Sequence, residues 1–189
     1  MEKFLARWFL RITGWKAVGE KPEAARFVLI AAPHTSNWDL AFLLAFAAVY
    51  DLRISWMGKD VLFRGPMGWL MRRTGGIPIV RHQRGDMVAQ AARNFANAEK
   101  LALVVPAEGT RGHVPHWKSG FYYIARSAKV PIVLGYLDYS RRQGGFGPAI
   151  EATGNASADM DKIRAFYADK VGRFPDQFGA VRLKDEGPN

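Results

Sequence analysis

Phe27-Val28-Leu29-Ile30-Ala31-Ala32-Pro33-His34-Thr35-Ser36-Asn37-Trp38-Asp39 is the stretch on which the reading of this chain turns. Residues 27–32 are apolar, partly β-branched, and stop at a proline. So short an unbroken run suits a strand covered on both faces. Residues 34–37 read as a loop. Residues 38–50 read as a helix entered near Asn37, with Ser36 or Asn37 placed to cap its first free amides. Strand, loop and helix in that order open an α/β unit.

The alternation continues along the chain. Strands are expected at 53–57, 77–81, 101–105 and 130–137, with a further edge strand at 148–152. Between them, 59–74 is mixed and broken at Gly65-Pro66, 85–100 is an alanine-rich helix, 117–128 another and 158–171 the last. The pattern predicts an α/β single-domain sandwich, a largely parallel central sheet flanked by helices. Its expected limits are 21–183, preceded by an amphipathic helix in 1–20 and followed by a frayed tail, 184–189.

In the first of these segments Phe4, Leu5, Trp8, Phe9, Ile12 and Trp15 recur at helical spacing, while Lys3, Arg7, Arg11 and Lys16 fall mainly on the other side. Such a helix suits a membrane interface, with aromatics below and cations at headgroup level. It equally suits packing on its own domain, and the two readings are compatible. Arg7 and Arg11 interrupt the segment too early for a secretory signal. The longest apolar run, 40–50, has eleven residues, against roughly 20 for a bilayer span.

Composition narrows the function. The 189 residues are 49% hydrophobic and 13% aromatic, which is a globular balance. The absence of cysteine excludes a thiol nucleophile, a thiolate metal site and a disulfide framework. A net charge of +10, from 27 Lys+Arg against 17 Asp+Glu, attracts polyanions. The cations are scattered in short groups such as Arg72-Arg73 and Arg141-Arg142, with no basic tail or RNP-like string. No nucleic-acid partner is expected.

Two loops that follow predicted strands carry the chemistry, at the strand ends where α/β sheets gather ligands. In the first, a loop His34 folding back over the helix start can meet Asp39. The carboxylate then fixes the imidazole tautomer and leaves the other nitrogen as a base. These residues alone leave open a plain helix cap with a partly buried ring. Ser36 lacks the glycine-flanked elbow of a serine nucleophile. The second loop is Pro106-Ala107-Glu108-Gly109-Thr110-Arg111-Gly112, whose glycine, hydroxyl and guanidinium can approach, donate to and grip a phosphate. A glycine turn with a solvated arginine is the alternative. A third segment, Gly75-Gly76-Ile77-Pro78-Ile79-Val80-Arg81, brings another arginine to the end of a predicted strand.

In this order the segments resemble the glycerolipid acyltransferases typified by bacterial 1-acylglycerol-3-phosphate acyltransferase. Four blocks carry the resemblance over residues 27–137. His-x4-Asp is met by His34 and Asp39, and a glycine-rich strand ending in arginine by 75–81. Pro-Glu-Gly-Thr-Arg is approximated by 106–111, and a Val-Pro-Ile-Val strand is met by Val130-Pro131-Ile132-Val133. The departures are Pro33 where the family usually has asparagine, Ala107 between proline and Glu108, Gly112 in place of serine, and Leu134 in place of a second proline.

The resemblance implies a glycerol-3-phosphate acyltransferase-like fold. It implies catalysis by His34 and Asp39, and substrate binding by Arg81, Glu108, Gly109, Thr110 and Arg111. It implies no metal and no cofactor, with acyl-CoA or acyl-carrier protein as thioester co-substrate and acyl donor. The implied reaction moves a fatty acyl chain onto a lysophosphatidate-like, lysophospholipid acceptor in phospholipid synthesis. The implied location is peripheral, at an anionic membrane surface, the cytoplasmic face of the inner cell membrane. Acylation of another lyso-lipid or amino-lipid, hydrolysis of the thioester by water, and a non-catalytic basic lipid-binding module are the competing readings.

Overall fold

The computed structural model describes residues 2–79, 84–184 and 186. Its centre is β2 (Arg26–Ala32), flanked by β5 (Leu101–Val105) and β6 (Ile132–Asp138), both parallel to it. Beyond β5 the sheet continues through β3 (Ile54–Lys59) to β4 (Gly76–Ile79), still parallel. Beyond β6 lie β7 (Gln143–Ile150), antiparallel, and then β1 (Lys16–Val18). The resulting order is β1-β7-β6-β2-β5-β3-β4. The predicted α/β sandwich with a largely parallel sheet is therefore the fold observed.

Helices cover both faces, which is why the central strands read as unbroken apolar runs. Successive β2 side chains alternate sides. Val28, Ile30 and Ala32 pack with Phe95 of α4 (Arg84–Asn97), Phe121 of α5 (Gly120–Ala128) and Ile163 of α6 (Ala156–Tyr167). Phe27, Leu29 and Ala31 pack with Leu43 and Ala47 of α2 (Trp38–Val49). A 3₁₀ turn, Asp60–Phe63, leads into α3 (Gly65–Arg73), and Phe63 lies against Trp56 of β3 with ring centroids 5.8 Å apart.

The N-terminal helix α1 (Glu2–Thr13) lies on α2, burying Ala6 and Leu10 beside Phe42, Ala45 and Phe46. Covered by the sheet on one side and α1 on another, α2 is apolar nearly all round, as a buried helix is. No described helix is long and apolar enough to cross a membrane.

The expected single stripe on α1 is split. Phe4, Leu5, Trp8 and Ile12 point outward, Trp8 being 56% exposed, whereas Trp15 is buried beyond the helix end. Gly14, at φ +74°, ends the helix. Trp15 then turns inward to stack on Phe42 at 4.2 Å, and Lys16 enters the sheet in β1.

Candidate active site

The three central strands end side by side. Ile30 is in register with Val105, and Ala32 with Tyr136. Parallel pairing therefore delivers the loop after β2, the loop after β5 and the turn after β6 to one place at the carboxyl edge. His34, Glu108 and Tyr139, distant in sequence, become neighbours there.

Asp39 sits in the first turn of α2, where the helix dipole favours an anion. It is buried, and its side chain folds back over the loop. Oδ2 accepts the backbone N–H groups of Thr35 and Ser36, each at 2.9 Å, and Oδ1 accepts the Tyr139 hydroxyl at 2.6 Å. His34 Nδ1 stands 3.2 Å from Oδ2, with 27% of its side chain exposed. The carboxylate thus gathers the whole turn around itself, so an ionised Asp39 holds the proton on Nδ1 and leaves Nε2 free. Of the two expected caps, Ser36 Oγ accepts from the Trp38 N–H at 3.2 Å. Asn37 makes no cap bond; its Oδ1 accepts instead from Arg111 Nη1.

Glu108 lies beneath this pair. It is 0% exposed, and its Oε1 accepts the backbone N–H of His34 at 2.6 Å. Oε2 has no partner among the described residues. Burial pushes its pKa up from 4.5 to about 7, against the pull of the His34 N–H. The side chain therefore braces the His34 loop from behind.

Gly109 turns the chain at φ +71°, and a Cβ there would meet Lys118 Cγ at 3.0 Å, so the position requires glycine. Thr110 Oγ1 accepts from the Gly112 N–H at 3.4 Å on the exposed side of the loop. Arg111 brings its guanidinium back to the first loop through Asn37. Arg81 lies outside the described residues; β4, the strand before it, ends at Ile79.

These loops border a cavity of about 390 Å³ between α2 and the sheet. His34, Asp39, Asn37 and Arg111 form its polar side, while Leu43 and Phe46 of α2 and Ile54, Trp56, Val104 and Phe146 of the sheet line the remainder. A volume in the usual small-ligand range of roughly 300–1,000 Å³, lined by apolar groups with a few convergent polar ones, is a binding site by form. Tyr139 was not among the residues singled out in the sequence. It lies 100 positions from Asp39, belongs to none of the four blocks, and follows a strand whose own apolar residues draw the attention.

An imidazole oriented by a carboxylate thus stands beside a guanidinium at the rim of an apolar pocket. The acyltransferase family model matches residues 16–134, and the chain belongs to that family. It is 29% identical over 117 residues to the human protein 1-acyl-sn-glycerol-3-phosphate acyltransferase beta, an alignment covering 59% of this chain. The chain spans about two fifths (41%) of that relative's length. Among solved structures, the 1-acyl-sn-glycerophosphate acyltransferase PlsC of Thermotoga maritima superimposes with a TM-score of 0.58 at 17% identity. That match covers 81% of this chain and 68% of the other, and it supports the fold.

Proposed function

We propose that this protein transfers a fatty acyl chain from an acyl thioester to the hydroxyl of a lysophosphatidate-like acceptor. The observation that carries the reading is the His34–Asp39 pair at 3.2 Å on the polar side of an apolar cavity that Arg111 also borders. His34 Nε2 takes the proton of the acceptor hydroxyl. The resulting alkoxide attacks the thioester carbonyl, a C–O bond forms and the C–S bond breaks, and the proton passes from His34 to the departing thiolate. The apolar cavity takes the acyl chain, and Arg111, with Arg81, holds the acceptor phosphate. Gly109 and Thr110 shape the phosphate side, and Glu108 acts from beneath through the His34 backbone. No cofactor enters this scheme.

The exposed Phe4, Leu5, Trp8 and Ile12 and the cationic balance support docking on an anionic bilayer. Peripheral attachment at the cytoplasmic face of the cell membrane accords with both substrates, acyl-CoA or acyl-carrier protein arriving from the aqueous side. The test incubates purified protein with each donor and a panel of lysophospholipid and amino-lipid acceptors. Ester formation with lysophosphatidate is expected, with His34→Ala slower by roughly 10²- to 10⁴-fold and an unchanged melting curve. Hydrolysis without transfer, or no dependence on His34, refutes the proposal.

A further inference from the structure

The Asp39 carboxylate is held by more than the loop that contains His34. Its Oδ1 accepts from the Tyr139 hydroxyl at 2.6 Å, the shortest of its contacts. Tyr139 is itself fixed on three sides. Its backbone N–H donates to the Val171 carbonyl at 2.9 Å. The turn it occupies is locked by the preceding Asp138, whose buried carboxylate accepts from the Ser140 N–H and hydroxyl and from Arg141. Its ring stands edge-on to Trp15 at 4.8 Å and 89°, and to Phe42 at 6.0 Å and 87°.

Phe42 lies one helical turn beyond Asp39 on α2, so both present to the same side of the helix. The phenol ring is seated on one while its hydroxyl reaches the other. Burial and the neighbouring carboxylate push the Tyr139 hydroxyl well above its ordinary range. It is therefore a permanent donor to Asp39 and does not compete as an anion.

Both Oδ2 bonds come from the loop itself, so they fix that oxygen relative to His34 and leave the other oxygen to be held from elsewhere. Among the described residues, the Tyr139 hydroxyl is the hydrogen bond that reaches the carboxylate from outside the loop and its helix. We infer that Tyr139 is a positioning residue for the His34–Asp39 pair, a third member that fixes the plane of the Asp39 carboxylate and thereby the tautomer and aim of the imidazole. The inference rests on the proposed general-base role of His34, and its test has a readout independent of turnover.

Tyr139→Phe removes one oxygen and keeps the ring on Trp15 and Phe42. In the wild type the imidazole ¹⁵N shifts of His34 are expected to show one tautomer, with the proton on Nδ1. In Tyr139→Phe the two nitrogens are expected to move toward each other as the tautomers mix, while His113 and His116 stay unchanged. The kcat is expected to fall roughly 5- to 20-fold, the size of one lost hydrogen bond, with KM for donor and acceptor within twofold. In an Asp39→Asn background the same substitution is expected to add nothing.

Incorporation of 3-fluorotyrosine at position 139, which keeps the fold and strengthens the donor, is expected to leave the single-tautomer pattern intact. It serves as the second variant should Tyr139→Phe unfold. Wild-type ¹⁵N shifts and wild-type kcat in folded Tyr139→Phe overturn the inference, as does tautomer mixing in the fluorotyrosine protein. Should no acceptor be acylated at all, the proposed function fails while the ¹⁵N pattern still decides the role of Tyr139.

Discussion

Glu108→Gln isolates the cost of a buried carboxylate. An unfolded chain releases the Glu108 proton near 4.5 and the folded protein near 7. Between those values the folded state holds one more proton, so stability falls as pH rises. At about 1.4 kcal/mol per pH unit, the whole window amounts to about 3 kcal/mol. In a chain of this length each kcal/mol moves Tm by about 2–4 °C, so the Glu108 contribution is roughly 6–12 °C.

Glutamine keeps an oxygen for the His34 N–H and places an unpartnered amide where Oε2 stands. That defect costs the same at every pH, so only the pH dependence is diagnostic. The assay is thermal unfolding of both proteins from pH 4.5 to 8. The wild type is expected to lose stability relative to Glu108→Gln across the window, with the glutamine variant comparatively more stable at pH 8. Parallel Tm curves would falsify the account of Glu108 as a desolvated carboxylate.

Three further outcomes follow from the site and the surface around it. Arg111→Ala is expected to raise KM for a phosphorylated acceptor roughly 10- to 100-fold, the loss of a charge-assisted hydrogen bond, with a smaller effect on a phosphate-free analogue. Equal effects on both acceptors, measured by initial rates, remove Arg111 from phosphate recognition. Leu43→Trp narrows the cavity from the α2 side and is expected to lower kcat/KM for long-chain donors about 10-fold or more relative to short ones; an unaltered chain-length profile across an acyl-CoA series argues that the chain lies elsewhere. Replacing Phe4, Trp8 and Ile12 together by serine is expected to weaken sedimentation with phosphatidylglycerol vesicles roughly 100-fold or more, while each site, being exposed, leaves stability within about 0.5 kcal/mol. Undiminished vesicle binding assigns docking to another surface.

How far the sequence carried the structure depends on which residues do the packing. β2 and β6 were legible because both faces are covered, so their inner positions, 27–32 and 132–134, had to be apolar. β1 was not: Lys16, Ala17 and Val18 are exposed, and only backbone pairing with β7 makes them a strand. β7 was seen in part, at 148–152, although it begins at Gln143. Its glycines look like a turn. In the fold they are places where Phe46 crowds Gly144, the Val18 carbonyl crowds Gly145 and Phe166 crowds Gly147. The closing helix was placed too late by two residues at its start, because Asn155, which accepts from the Ala158 N–H at 3.2 Å, is its cap.

At the site, His34 and Asp39 were readable because both lie within one loop and helix turn, a local arrangement that spacing can report. Glu108 was legible as a member of a motif, but its burial behind the His34 backbone comes from strand pairing, which residue types do not encode. Tyr139 reaches Asp39 only through tertiary packing, and no local pattern marks it; Trp15 fits the α1 stripe by spacing, yet the turn at Gly14 sends it onto Phe42.

The pairing of β1 with β7 bears on how the molecule meets a surface. The α1 helix is not a leash. Past its end, the Trp15 N–H donates back to the Leu10 carbonyl at 2.8 Å, and the Lys16 N–H donates to the Arg142 carbonyl at 2.9 Å. The segment is riveted to the sheet within three residues of the last helical turn. A load on the outward side chains of α1 therefore passes straight into the rim of the sheet, with no slack to absorb it. Should those side chains dock on a bilayer as proposed, the sheet is carried with the helix and does not swing from it as from a tether.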